Sequence, residues 1–74
     1  MRKYQVIVGT DGQTTFEIAG LIAYPRPSFC DLFFKETRVH NNHWTGAADG
    51  FEYTGPDYPQ AGDVFNLNMY IPNT

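Results

Sequence analysis

The chain lacks the disulfide support on which many small domains rely. It has 74 residues and one cysteine, Cys30, so no disulfide can form within the chain. A single cysteine excludes the secreted mini-proteins held by several disulfides and fits a reducing compartment better. A domain of this size buries only about 60% of the surface that its unfolded chain exposes. The aromatic residues, 16% of the sequence, must therefore supply much of the core.

The sequence also lacks a long apolar run. No segment approaches the roughly 18 apolar residues that a membrane-spanning helix needs. The basic start of the chain precedes only a very short apolar stretch, unlike a secretory signal peptide. These absences predict a protein with no membrane partner that resides in the cytoplasm, or in the cytoplasm of a host cell if a phage or mobile element encodes it.

Positive charge is missing from the second half of the chain. All five Lys and Arg residues lie at or before Arg38, whereas four acids and no fixed cation follow it. The formal net charge is −3. Direct binding to nucleic acid is disfavoured, because the phosphate backbone requires a basic surface. The split instead suggests that the second half faces something basic.

Alternation of apolar and polar residues predicts strands. The clearest case is residues 64–71, where Phe65, Leu67, Met69 and Ile71 alternate with other side chains. Further strands are predicted at 2–8, 14–24, 29–39 and 51–54. Five or six short strands with frequent turns indicate a single all-β domain over residues 1–74, an antiparallel sandwich or barrel.

Two local features qualify this prediction. Asp11-Gly12 predicts a hairpin between the first two strands, because both turn positions tolerate positive φ. Residues 14–23 also admit one short helix, since their centre is rich in Ala and Leu, although Gly20 disfavours it by about 1 kcal/mol relative to Ala. The predicted core comprises Tyr4, Val6, Val8, Phe16, Ile18, Ile22, Leu32, Phe33, Phe34, Phe65, Leu67, Met69 and Ile71.

Candidate chemistry is sparse. His40 and His43 have a spacing that suits two ligands of one metal, yet a zinc site needs three or four, and Asn41-Asn42 between them indicates a polar turn. Cys30 lies in an apolar stretch, where cysteine behaves as a small hydrophobe. We therefore predict a protein that is not an enzyme and holds no metal or cofactor.

The function predicted from these features is a non-catalytic protein-binding module. Carboxylates match Lys and Arg on a partner, and aromatic rings supply contact area at low entropic cost. The module is predicted to inhibit its partner by covering a basic, nucleic-acid-binding surface, as a small protein of a phage or mobile element does. The predicted contact residues are Trp44, Asp49, Phe51, Glu52, Tyr53, Asp57, Tyr58 and Asp63.

The alternative prediction is a structural subunit, of a virion or scaffold, that assembles with itself into a homo-oligomer. It is motivated by residues 29–34, which are apolar on both predicted faces, and by the open sheet edges expected in so short a chain.

Overall fold

A computed structural model describes residues 2–21 and 24–70, which form two antiparallel sheets. The strands are β1 (Arg2–Ile7), β2 (Thr15–Glu17), β3 (Cys30–Phe34), β4 (Thr37–Arg38), β5 (Trp44–Ala47), β6 (Gly50–Tyr53) and β7 (Val64–Met69). One turn of 3-10 helix, Asn41–His43, precedes β5. No helix in this part of the chain is long and apolar enough to cross a membrane.

The two sheets pack face to face as a sandwich. The larger sheet has the strand order β1-β7-β3-β4, and the smaller sheet has the order β2-β6-β5. The predicted all-β antiparallel sandwich is therefore confirmed, whereas the barrel alternative is wrong because the sheets do not close on each other.

Aromatic rings join the two sheets in the core. Phe65 on β7 has its ring centroid 4.8 Å from Phe16, 5.4 Å from Phe51 and 5.3 Å from Tyr53, all three on the smaller sheet. Phe34 on β3 stacks on the same ring at 4.5 Å. Tilted and edge-on rings at these separations add to the stabilisation from burial alone.

The predicted hairpin at Asp11-Gly12 is wrong. A turn is present, with Gly12 at φ +79° and the Gln13 amide donating to the Thr10 carbonyl at 3.1 Å. The chain leaves this turn into the other sheet, however, so β1 pairs with β7 and β2 pairs with β6. Turn propensity is local and does not determine which strands pair.

The predicted strand 14–24 is much shorter than expected. Only Thr15–Glu17 is a strand, and a turn follows in which Gly20 has φ +77°. The short-helix alternative is absent from residues 14–21, and Ile22 lies outside the described residues.

The predicted strand 29–39 is divided by a turn at Lys35 and Glu36, which raises the strand number to seven. These two residues have φ +52° and +70° and connect Phe34 to its partner Thr37, the arrangement of a type I′ hairpin turn. Such turns strongly prefer Asn-Gly, so Lys-Glu gave no signal for a turn.

Most of the predicted core is buried, with three kinds of exception. Tyr4 and Val6 are only partly buried, and Phe33 is half-exposed because it points away from the smaller sheet. Ile71 lies outside the described residues. The core also contains Cys30, Val39, Trp44, Phe51 and Tyr53.

Tyr24 and Pro25 lie against β5 of the smaller sheet. The Tyr24 hydroxyl donates to the Gly46 carbonyl at 2.9 Å, and a Cβ on Gly46 would overlap the Pro25 carbonyl. The guanidinium of Arg26 lies 5.3 Å from the centre of the Tyr24 ring. The Tyr24 hydroxyl thus satisfies one carbonyl of β5, and Pro25 occupies the space that a side chain at Gly46 would need.

Candidate functional site

Three of the four rings predicted to contact a partner lie inside the sandwich. Trp44 is 1% exposed, Phe51 0% and Tyr53 3%. The prediction that these rings form a contact surface is therefore wrong. A 74-residue chain has few large apolar side chains, and the smaller sheet uses all of its aromatic residues to cover the core.

The polar ends of two of these rings are held within the domain. Burial raises the pKa of the Tyr53 hydroxyl, and a backbone hydrogen bond from Asp57 partly offsets that effect. A Cβ on Gly55 would lie 2.5 Å from the Tyr53 hydroxyl oxygen, so glycine makes room for the ring. The Trp44 indole Nε1 is buried and has no hydrogen-bond partner among the described residues.

The outer face of the smaller sheet carries one predicted contact residue, Glu52, and its polar neighbours. Glu52 is exposed in the central strand and lies between Thr15 and Thr45 in the two edge strands. Glu17 is exposed on the same face, diagonally across from Glu52, a relation that separates Cα atoms by about 7–8 Å. No Lys or Arg occurs in β2, β5 or β6.

Asp49 lies at one end of this face. It is exposed in the turn between β5 and β6, and its backbone carbonyl accepts from the Ile18 amide at 2.7 Å. This hydrogen bond joins the turn to the residue that directly follows Glu17. Asp49, Glu17 and Glu52 thus form one group of carboxylates, which we call the smaller-sheet carboxylates.

Asp57 and Tyr58 lie beyond the other end of β6, in the loop that leads to β7. Four strand residues separate this end from Asp49, a span of about 13 Å. Tyr58 is 66% exposed, and both residues line an open cleft of about 440 Å³ beside the turn of the β3–β4 hairpin. Lys35 and Gln60 also line the cleft, which is therefore of mixed charge.

Asp63 has a structural role near the same end. It is half-buried, and its Oδ2 atom accepts from the Gln60 amide at 3.0 Å. Asp11 holds the same loop from the other side, because its Oδ1 atom accepts from the Ala61 amide at 2.8 Å. The four acids of the second half therefore do not form one surface. Asp49 and Glu52 belong to the smaller-sheet carboxylates, whereas Asp57 and Asp63 lie at the opposite end of β6.

The candidate catalytic and metal-ligating groups are not arranged as a site within residues 2–21 and 24–70. The His40 and His43 rings are 5.5 Å apart, but His40 Nδ1 accepts from the Asn42 amide at 3.2 Å and begins the 3-10 helix. No group of three metal-ligating side chains occurs in these ranges. Burial raises the pKa of the Cys30 thiol, which favours its uncharged, unreactive form.

Sequence reasoning missed Glu17. The predicted contact residues all come from the second half of the chain, whereas the fold places Glu17 of the first half diagonally beside Glu52. The alternation Thr15-Phe16-Glu17 correctly indicated an exposed side chain. The pairing of β2 with β6 depends on contacts across more than thirty residues of sequence, which no local pattern reveals.

Four of the five cations lie on the larger sheet, and the fifth, Arg26, lies in the connector that precedes β3. Arg2 and Lys3 belong to β1, Lys35 to the hairpin turn and Arg38 to β4. Arg38 forms an ion pair with Asp31 at 3.1 Å and also donates to Asn41. The strands of the smaller sheet therefore contain no cation, whereas the larger sheet carries cations together with Asp31. No family model, curated protein or solved structure matches the chain.

Proposed function

We propose that the protein is a binding module whose outer face on the smaller sheet contacts the basic surface of another protein. The observation that carries this proposal is the exposed pair Glu17 and Glu52 on adjacent strands that contain no cation. Asp49 extends the pair at the end of the hairpin. Trp44, Phe51 and Tyr53 stabilise this sheet from within the core and do not contact the partner.

The carboxylates are arranged so that a partner's cations would relieve their mutual repulsion. Like charges on neighbouring strands destabilise a sheet slightly. A partner's Arg donates two parallel hydrogen bonds to a carboxylate, so each Glu offers a specific contact as well as charge. The Thr15 and Thr45 hydroxyls beside Glu52 add hydrogen-bonding groups that do not repel a cation.

The partner class follows from this chemistry. Surfaces that bind nucleic acid are rich in Lys and Arg at exposed positions. A rigid face that presents carboxylates would compete with phosphates for those side chains and inhibit nucleic-acid binding by the partner. This retains the predicted inhibitory function but replaces the aromatic contact surface with Glu17, Asp49 and Glu52.

Two double variants test the proposal. Glu17→Lys with Glu52→Lys reverses the proposed contact face, whereas Glu36→Lys with Asp57→Lys makes the same change in charge at other exposed positions. Each protein is immobilised and exposed to extract from the organism that encodes it. The captured proteins are eluted with mixed-sequence double-stranded DNA or with salt and are then identified by mass spectrometry.

The wild type and the Glu36–Asp57 variant should capture the same basic protein, and the Glu17–Glu52 variant should lose at least tenfold in affinity (about 1.4 kcal/mol). Elution by DNA is expected because both ligands occupy the same cations. Equal capture by both variants, or a complex insensitive to DNA and salt, would show that the contact lies elsewhere.

A further inference from the structure

The edge strand β1 of the larger sheet is longer than the other three edge strands, β2, β4 and β5. The six-residue strand β1 pairs with β7 on one side only, and no described element pairs with its other side. By contrast, the four-residue strand β5 receives a hydrogen bond from the Tyr24 hydroxyl at its Gly46 carbonyl, while β2 and β4 have only three and two residues. A six-residue edge offers enough hydrogen-bonding groups to accept another strand.

The alternation of backbone bonds identifies the groups that face outward. The Val8 amide donates to the Asp63 carbonyl, and the Val8 carbonyl accepts from the Gly62 amide. Val8 therefore bonds toward β7, and in an antiparallel pair every second residue does the same. It follows that Lys3, Gln5 and Ile7 direct their N–H and C=O groups away from the sheet.

The core beside this edge is incompletely covered. Tyr4 and Val6 pair with Leu67 and Phe65, which are 1% and 0% exposed, yet both remain only half-buried. The smaller sheet has one strand fewer, and its rings cover Phe65 rather than β1. Ile7, on the outer face of the larger sheet, is 63% exposed.

We propose that a second copy of this chain binds at β1 by antiparallel β1–β1 pairing centred on Gln5. This register alone uses all three outward-facing residues of each strand. Gln5 pairs with Gln5 of the second copy, and Lys3 pairs with Ile7 at both ends, which gives six backbone hydrogen bonds in the regular geometry.

Charge and apolar contacts both favour this register. Each Lys3 lies opposite an uncharged Ile7, whereas a parallel arrangement would place Lys3 opposite Lys3, which is destabilising. On the core side, Tyr4 lies opposite Val6 of the second copy in pairs whose Cα atoms are about 4.5 Å apart. The half-buried side chains of each copy would thus be covered by those of the other.

The dimer has a geometric consequence. Because Tyr4 and Val6 of both copies point to the same side, the twofold axis is perpendicular to the sheet. Both smaller sheets lie on that side, and their outer faces point in the same direction. The proposal does not depend on the partner of the smaller-sheet carboxylates, and either can fail without the other.

The test is a dilution series of the purified protein by sedimentation equilibrium, with amide hydrogen exchange on the same samples. We expect a concentration-dependent dimer in which the Lys3, Gln5 and Ile7 amides become protected as dimer forms. The Tyr4 and Val6 amides should be protected at every concentration, because they bond to β7. A monomer throughout the series would overturn the proposal.

Charge exchange tests the register. Ile7→Lys places two cations opposite each other at both ends and should raise the dissociation constant about tenfold. Adding Lys3→Glu to that variant places Glu opposite Lys in the second copy and should restore the dimer. Thr45→Lys, an exposed substitution on the smaller sheet, is the matched control. A dimer unaffected by Ile7→Lys, or not restored by Lys3→Glu, would show that β1 is not the contact.

Discussion

The two sheets divide the chemistry of the chain between them. The smaller sheet is strictly two-sided, with Phe16, Trp44, Phe51 and Tyr53 inside and threonines and glutamates outside. The larger sheet has an equally apolar inner face, but its outer face mixes Lys3 and Arg38 with Phe33, Val64 and Ile7. Every apolar side chain in β2 and β6 therefore marks the core face, whereas in the larger sheet Ile7, Phe33 and Val64 are apolar and lie on the outer face.

The largest expected effect on the free energy of unfolding comes from removing a core ring, compared with a ring on the outer face of the larger sheet. Phe51→Ala should destabilise the domain by about 3–5 kcal/mol, because the side chain is 0% exposed and contacts rings from both sheets. Phe33→Ala, on the outer face of the larger sheet, should cost about 1 kcal/mol or less. Urea denaturation of both variants measures the difference, and similar losses would contradict the assignment of Phe33 to the surface.

A smaller effect separates the hairpin turns of the two sheets. Glu36→Gly should stabilise the protein by about 1 kcal/mol, because Glu36 adopts a left-handed conformation that glycine tolerates without strain. Ala48→Gly, in the turn of the smaller sheet, should destabilise it by about 0.5–1 kcal/mol, because Ala48 does not have positive φ. Thermal unfolding of the two variants checks the signs, and a loss in Glu36→Gly would refute the proposed turn.

The smallest effect is a loss of stability in alkali. Burial raises the pKa of Cys30 in the larger sheet above its ordinary value of 9.0, and that of Tyr53 in the smaller sheet above 10.0. As the pH rises, the unfolded chain therefore releases these two protons before the folded chain does. The free energy of unfolding is highest below pH 9.0 and falls as the pH rises through the two folded-state pKa values.

Two conservative variants show whether Tyr53 or Cys30 causes the loss of stability in alkali. Tyr53→Phe and Cys30→Ala should each flatten the fall in the free energy of unfolding, measured in urea from neutral pH to above pH 10.0. An unchanged slope in both variants would mean that other groups cause the loss.

The sequence predicted the parts of the fold that depend on neighbouring residues. Alternation in β1 and β7 identified both strands and the core positions Phe65, Leu67 and Met69. It failed at Lys35-Glu36, where the chain turns although these residue types disfavour positive φ, and where the Lys35 amide donates to the Val64 carbonyl at 3.1 Å. It correctly predicted that Ile18 is buried, although the strand itself ends at Glu17.

The candidate site was less predictable than the fold. The exposure of Glu52 could be inferred from its position between Phe51 and Tyr53, and the burial of those two rings follows from the same alternation. The predicted contact surface nevertheless includes Phe51, Glu52 and Tyr53 together, because they are neighbours in the sequence. Side chains on opposite faces of one strand cannot share a surface.

By itself the sequence determined that this chain forms a mostly β fold, that its aromatic residues rather than disulfides stabilise it, and that cations end at Arg38. Only the tertiary structure decided that Glu17 lies beside Glu52, that Trp44 lies in the core, and that β1 is an open edge. Strand alternation is a local property of the backbone, whereas strand pairing depends on how distant segments together cover one small core.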